Sequence, residues 1–320
     1  MKSLLFALLL AGSAVAAFGA DPAEAASHAV EANQGAAGHD AAHAEHEHHG
    51  LPPAAVHVFK LGPLIFNNSM VAVWVVALVL IAFAQIATRK MSLIPSGLQN
   101  FWEFLVESLY NFLEEMLGHD LVKKTFWFFA TIFLLILFVN WFGLIPGVGT
   151  LGWNVTLADG TKEFHPWLRG GNADLNMTSA MSLVFFFLWI IWALQAQGPG
   201  GIIKHLFSAG GSGGGFMGLF IAAIFVFVGL IEVISILFRP VSLSFRLFGN
   251  VFAGENILES MLILVPWLGW ILPLPFYFLE LLVGLVQALV FTLLTAVFTA
   301  LMCAHHDDHG SDHKEAEAHH

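Results

Sequence analysis

Apolar residues run through this chain in long unbroken blocks, separated by short polar or glycine-rich stretches. A helix rises about 1.5 Å per residue, so roughly 20 apolar residues cross the ~30 Å hydrocarbon layer of a bilayer. Residues 71–87 form a first such block, ended by Arg89 and Lys90. Residues 125–145 form a second, which follows Lys123 and Lys124 and stops at Pro146-Gly147. Residues 177–197 make a third, and residues 276–303 the last. Between these two lies an apolar stretch from 216 to about 265. As one helix it would be about 75 Å long, so it is either two spans with a buried break or one strongly tilted helix. Residues 266–275, bounded by prolines, make a turn. Residues 95–117 differ, with aromatic residues interleaved with Glu103, Glu107, Glu114 and Glu115, the pattern of an amphipathic helix at a membrane surface. The pattern predicts an all-α polytopic membrane protein with about five membrane-crossing or tilted helices, the last two forming a long tilted hairpin.

Composition sharpens this picture. Of 320 residues 58% are hydrophobic and 11% charged, against about 25% charged in ordinary soluble domains. The formal net charge of −11 comes largely from the two ends and carries no indication of nucleic acid. Residues 1–20 have a basic start, a short apolar core and a small-residue end, which reads as a signal peptide. Residues 21–60 are rich in His, Ala and Glu and read as a disordered exterior tail; residues 304–320 form a His-rich acidic C-terminal tail. Residues 61–303 are the membrane domain. With five crossings and the mature N-terminus outside, Arg89, Lys90, Lys123, Lys124, Lys204 and Lys314 fall inside, and Lys60, Lys162 and Arg169 outside. That bias follows the positive-inside rule and puts the C-terminus in the cytoplasm.

An ionisable group within an apolar span is costly and marks a functional candidate. The long stretch carries Glu232, Arg239, Arg246, Glu255 and Glu259 with Asn250 and Asn256; the last helix carries Glu280 and Gln287. Arg239 beside Pro240 and Glu259 near the proline turn suit side chains that snorkel to an interface. Arg246 does not, because apolar sequence flanks it on both sides. An arginine there is a fixed cation, a barrier to other cations and a partner for a carboxylate. At about 100° per residue, Glu232, Ser235, Arg239, Ser242 and Asn250 fall within about 40° of Arg246, while Glu255 falls nearly opposite. The hairpin brings Glu255 towards Glu280, and Arg246 towards the face holding Gln287.

The run Arg239-Pro240-Val241-Ser242-Leu243-Ser244-Phe245-Arg246-Leu247-Phe248-Gly249-Asn250, continued by Ala253-Gly254-Glu255, resembles the signature of the subunit a family of rotary ATP synthases. Asn140-Trp141-Phe142-Gly143-Leu144-Ile145-Pro146, Ala173-Asp174-Leu175-Asn176-Met177-Thr178, and Leu279-Glu280 through Gln287-Ala288 resemble three further elements of that family, in the expected order. The resemblance covers roughly residues 65–303. It implies a bacterial inner-membrane stator subunit without nucleotide chemistry or a cofactor of its own. The implied partners are the c-ring proteolipids, the peripheral-stalk subunit b, the other ATP synthase subunits and the lipid bilayer. It also implies roles: Arg246 facing the rotor carboxylates, flanked by Asn250 and Gln287; Glu232 lining a cytoplasmic half-channel; Glu255 and Glu280 lining an exterior one. Some family members have a histidine where this chain has Glu280 or Glu255. Two neighbouring acids can share and relay a proton, and the pair also suits sodium, so the ion stays open between the two.

The same buried charges would serve a secondary ion-coupled transporter, but such proteins show inverted repeats with broken helices, and no such repeat is visible. All sixteen histidines lie outside the long apolar runs, so none is placed to ligate a haem between helices or to act as an intramembrane base. The glycine-rich stretch 210–215 lacks the lysine of a phosphate-binding loop. The single cysteine, Cys303, forms neither an internal disulfide nor a CxxC metal site.

Overall fold

The computed structural model describes residues 57–61, 64–149, 151–156, 162–207, 216–264 and 271–303. The expected signal peptide, most of the expected N-terminal tail, the glycine-rich stretch, much of the proline turn and the expected C-terminal tail lie outside these residues. The described elements are two short strands, β1 (His57–Leu61) and β2 (Leu64–Asn67), then helices α1 (Asn68–Thr88), α2 (Leu98–Leu117) and α3 (His119–Gly143). Extended segments β3 (Pro146–Gly149), β4 (Gly152–Thr156) and β5 (Lys162–Pro166) follow, with a 3-10 turn at Gly171–Ala173. Helices α4 (Leu175–Phe207), α5 (Phe216–Leu264) and α6 (Leu274–Cys303) complete the chain. Five helices, all but α2, are long and apolar enough to cross a membrane. The expected all-α polytopic architecture is the observed one.

The long apolar stretch is one helix of 49 residues with Pro240 inside it. The alternative of two spans separated by a break is therefore set aside. A helix of about 73 Å fits a ~30 Å layer only when strongly tilted, so α5 and α6 form the expected tilted hairpin.

Helix α2 obeys its sequence pattern. Leu109, Leu113 and Leu117, spaced four apart, are buried, and Tyr110 meets Phe126 of α3 edge-on with ring centroids 5.1 Å apart. Gly118 joins the two helices at φ +76°, a left-handed conformation that glycine adopts without a Cβ penalty. Helix α4 is broken at Gly198, where φ is +70° ahead of Pro199. Proline removes a helical donor and disfavours helical geometry in the residue before it.

Helix α3 is the centre of the bundle. Phe129, Ile136, Val122 and Val139 are fully buried there, as are Phe185 of α4 and Phe291 and Ala288 of α6. In lipid, helices associate through close packing and interhelical hydrogen bonds, because the lipid tails are as apolar as the side chains. Both devices meet at Asn140. Its Nδ2 donates to the Gly284 carbonyl at 3.1 Å, and its Oδ1 accepts from Asn172 Nδ2 at 2.6 Å. Trp141 Nε1 donates to the Leu281 carbonyl at 3.1 Å. Gly284 permits this approach, since a Cβ there would lie 3.1 Å from Asn140 Cβ. Asn140→Leu removes both bonds and strands a buried amide of Asn172. The expected cost is about 1–3 kcal/mol, checked by thermal unfolding of the detergent-purified complex.

Two antiparallel pairs, β1 with β2 and β4 with β5, were not expected from the sequence. The first starts at His57, inside the last residues assigned to the tail. Strands of four or five residues carry too little alternation to separate from loop sequence. The β4–β5 pair leads into the segment 167–174, which folds back over α3, α5 and the start of α1.

Candidate functional site

Helix α5 presents two unlike faces. Leu243, Ser244, Leu247 and Val251 are buried against the bundle. Ile234, Leu237, Phe238, Val241 and Phe245 are exposed, and Arg246 and Asn250 lie on the exposed side with them. Only 11% of the apolar window in this helix is buried within the chain, against 28–61% in the other four spans. The exposed face of α5 is therefore an uncovered apolar surface with a cation in it.

Asn250, one turn beyond Arg246, donates through Nδ2 to Gln287 Oε1 of α6 at 2.8 Å. Gln287 is 4% exposed, so the bond ties the rim of the Arg246 face to the interior of the hairpin. The sequence expectation turned Arg246 towards the face holding Gln287, with Asn250 and Gln287 flanking it; the bond observed joins those two flanking residues.

Glu255 projects from the other side of α5, into the protein. Its Oε1 rests against Gly170, where a Cβ would collide with it. A Cβ built on Gly143 of α3 would lie 3.2 Å from Gly170 Cα and 3.3 Å from the same oxygen. Two glycines thus make the space that this carboxylate fills. Glu280, buried on α6, sets its carboxyl group against Gly254, at the position a Cβ would take. Glu280 and Glu259 act on Glu255 electrostatically. The expected approach of Glu255 and Glu280 across the hairpin is observed, and it depends on glycine at 254.

The segment 167–174 supplies the rest of the cluster. Asp174 accepts from Ser69 Oγ at 2.5 Å and from the backbone N–H of Asn176 at 3.0 Å, which caps the start of α4. Asn68 Nδ2 donates to the Pro166 carbonyl at 3.1 Å. Arg169 is 3% exposed. Burial lowers its guanidinium from the usual value, while the carboxylates of Glu255 and Asp174 pull it back up. Sequence reasoning counted Arg169 only as an outside charge and missed this placement. The available signal was a charged residue followed by Gly170-Gly171, directly ahead of the Ala173–Thr178 motif.

Glu232 stands apart. It lies 14 residues, about 21 Å, along α5 from Arg246, whereas Glu255 lies 9 residues, about 13.5 Å, in the other direction. Glu232 acts electrostatically on Arg239. The Arg239 guanidinium sits 4.2 Å from the Phe298 ring centroid and 5.8 Å from that of Trp189. It is held over aromatic faces. Glu259 Oε2 is likewise buried. No group of three or more metal-ligating side chains occurs among the described residues.

Five apolar helices and ionisable side chains buried between them define a multi-pass helical membrane protein with polar zones on either side of one central arginine. A model of the ATP synthase A chain family matches residues 70–300. The protein named ATP synthase subunit a of Gloeobacter violaceus is 35% identical over 255 residues, covering 78% of this chain and 90% of that protein. The subunit a of Moorella thermoacetica is 33% identical over 245 residues, covering 77% and 94%. That of Solidesulfovibrio magneticus is 32% identical over 248 residues, covering 76% and 89%. The chain belongs to the ATP synthase A chain family.

Proposed function

We propose that this chain is the ion-translocating stator subunit of a rotary ATP synthase in a bacterial inner membrane, working against a rotating ring of c-type proteolipids, bound by a b-type peripheral stalk, and leaving nucleotide chemistry to other subunits. The observation that carries the proposal is the uncovered face of α5 with Arg246 among exposed Val241, Phe245 and Phe238. An apolar surface of this extent asks for lipid or another helix. A guanidinium within it asks for a carboxylate, because a charge in a low-dielectric setting is costly alone.

The mechanism follows from charge. An ion arriving past Glu255 and Glu280 from the exterior neutralises a rotor carboxylate. The neutral rotor site then turns through lipid at little electrostatic cost. On completing its circuit it approaches from the side of Glu232, where the ion leaves to the cytoplasm. Arg246 favours the ionised rotor carboxylate and so drives that release. It also repels any cation that would pass directly between the two routes. Asn250, tied to Gln287, holds the rim of the arginine face still as the rotor passes. Each elementary charge crossing gains about 2.3 kcal/mol per 100 mV, so several crossings are coupled to each ATP.

Cross-linking tests the face. In a Cys303→Ser background, cysteines at Val241 and Phe245 are expected to form disulfides with cysteines placed in the proteolipid. Cysteines at Leu243 and Leu247, 3% and 0% exposed, are expected to form none. Cross-links from the buried pair, or from neither pair, would contradict the proposal.

A further inference from the structure

Glu255 is packed tightly from three sides. Gly170 of the folded-back segment touches its Oε1, a Cβ on Gly143 of α3 would lie 3.3 Å from the same oxygen, and Glu280 approaches from α6 through the gap at Gly254. Its Oε2 is buried and has no hydrogen-bond donor among the described residues. The charged groups that act on it are Arg169 from the segment, Glu280 from α6 and Glu259 on its own helix; α3 presents it with a glycine. Of these only Arg169 is a cation. A carboxylate taken out of water beside two other acids is costly unless a positive charge compensates it.

Arg169 is built to be that charge. It immediately precedes Gly170, whose missing Cβ lets the segment press against the carboxylate. Gly171 has the same function at the next position, where a Cβ would strike Val73 of α1 and Val139 of α3. The segment cannot drift, because Asp174 is anchored to Ser69 Oγ and to the N-terminus of α4. Asp174 also acts on the Arg169 guanidinium electrostatically, but less strongly than Glu255 does. Arg246 is on the opposite side of α5, nine residues or about 180° from Glu255, and serves a different face.

We propose that Arg169 is a positioning residue for ion transfer, a fixed counter-charge clamped beside Glu255 that favours the ionised form of this acid and holds it in place between visits of the ion. The inference rests on the stator reading above. It assigns two arginines to two tasks: Arg246 to the moving rotor carboxylate, Arg169 to the stationary exterior one. An opposite charge nearby favours the ionised carboxylate. Without it Glu255 holds a proton more tightly and gives it up only at higher pH.

The test uses the whole complex in inverted membrane vesicles, with ATP-driven proton pumping measured from acid to alkaline pH. Arg169→Gln is expected to move the pH profile about one unit in the alkaline direction, the low end of what a neighbouring charge does. Arg169→Lys, which keeps the charge, is expected to return the profile to its original position. Adding Arg169→Gln to Glu255→Gln is expected to shift nothing further. An unmoved profile in Arg169→Gln, or an equal shift in Arg169→Lys, would overturn the inference. If Arg169→Gln instead prevents assembly, the double variant Arg169→Gln/Glu255→Gln should assemble better, since removing both partners of a buried pair is milder than removing one; equal loss in the double variant would overturn the inference as well. Arg246→Ala, run alongside, separates the two proposals. Pumping that survives in it defeats the stator reading, whereas an unmoved Arg169→Gln profile with Arg246→Ala inactive defeats only this one.

Discussion

Arg246→Ala is expected to abolish ion-driven ATP synthesis while leaving the complex assembled. Leu243, Ser244 and Leu247 hold this part of α5 to the bundle; Arg246 is exposed, so its loss leaves that buried packing in place. What is lost, on the proposed stator role, is the charge opposite the rotor. Breaking a desolvated ion pair on one side costs about 3–5 kcal/mol, roughly a 150- to 4,000-fold loss of rate at about 1.4 kcal/mol per tenfold. The barrier between the two routes disappears with the same atoms, so the variant should also leak protons passively. Arg246→Lys is expected to fail in coupled synthesis too. Lysine is a compact point charge without the planar fork, and it loses its proton when desolvated far more readily than arginine. The measurements are ATP synthesis under an imposed proton gradient, and the amount of this chain retained in the purified complex. Near-normal synthesis in both variants would contradict the stator assignment.

The second large effect is steric. Gly254→Val should disable the acids proposed to line the exterior route, Glu255 and Glu280, without altering a single charge. A Cβ at 254 would overlap the Glu280 carboxyl group, and Glu280 cannot stay where it is. Overpacking of this kind costs about 1–3 kcal/mol, roughly 5- to 150-fold if all of it falls on ion transfer. Gly254→Ala should show a smaller loss of the same kind. Combining Gly254→Ala with Glu280→Asp, whose shorter side chain withdraws the carboxylate, should recover part of it. A useful control is Gly200→Ala on α4, where an added Cβ meets nothing within 4 Å. Pumping rates in vesicles provide the readout. No loss in Gly254→Val, or no recovery in the double variant, would show that the close approach of Gly254 and Glu280 is dispensable.

Both predictions draw on features of unequal visibility in the sequence. The opposition of Arg246 and Glu255 was legible because it is local: nine residues on one helix fix an angle whatever surrounds it. The approach of Glu255 to Glu280 was legible because a single hairpin constrains it. The direct bond between Asn250 and Gln287, the two residues expected to flank Arg246, is a detail that hairpin symmetry is too coarse to settle. Continuity of α5 through Pro240 was left open, because length alone allows a break. Arg169 was missed for a deeper reason. It stands 86 positions before Glu255, on a segment with no helical or strand period to orient it, and the glycines that let this segment approach Glu255 come from two separate elements. The short strand pairs escaped for the same reason: they carry no long-range pattern. The rings of Trp189 and Phe298 that hold Arg239 come from other helices, so nothing local in the sequence announced them.

The most direct test is a density map of the assembled complex at side-chain resolution, examined around residue 246. The account predicts a helix of a second polypeptide lying along Val241, Phe245 and Asn250, with an acidic side chain within reach of the guanidinium. A map in which that face of α5 meets only lipid or bulk water, with no carboxylate of another subunit near Arg246, would contradict it.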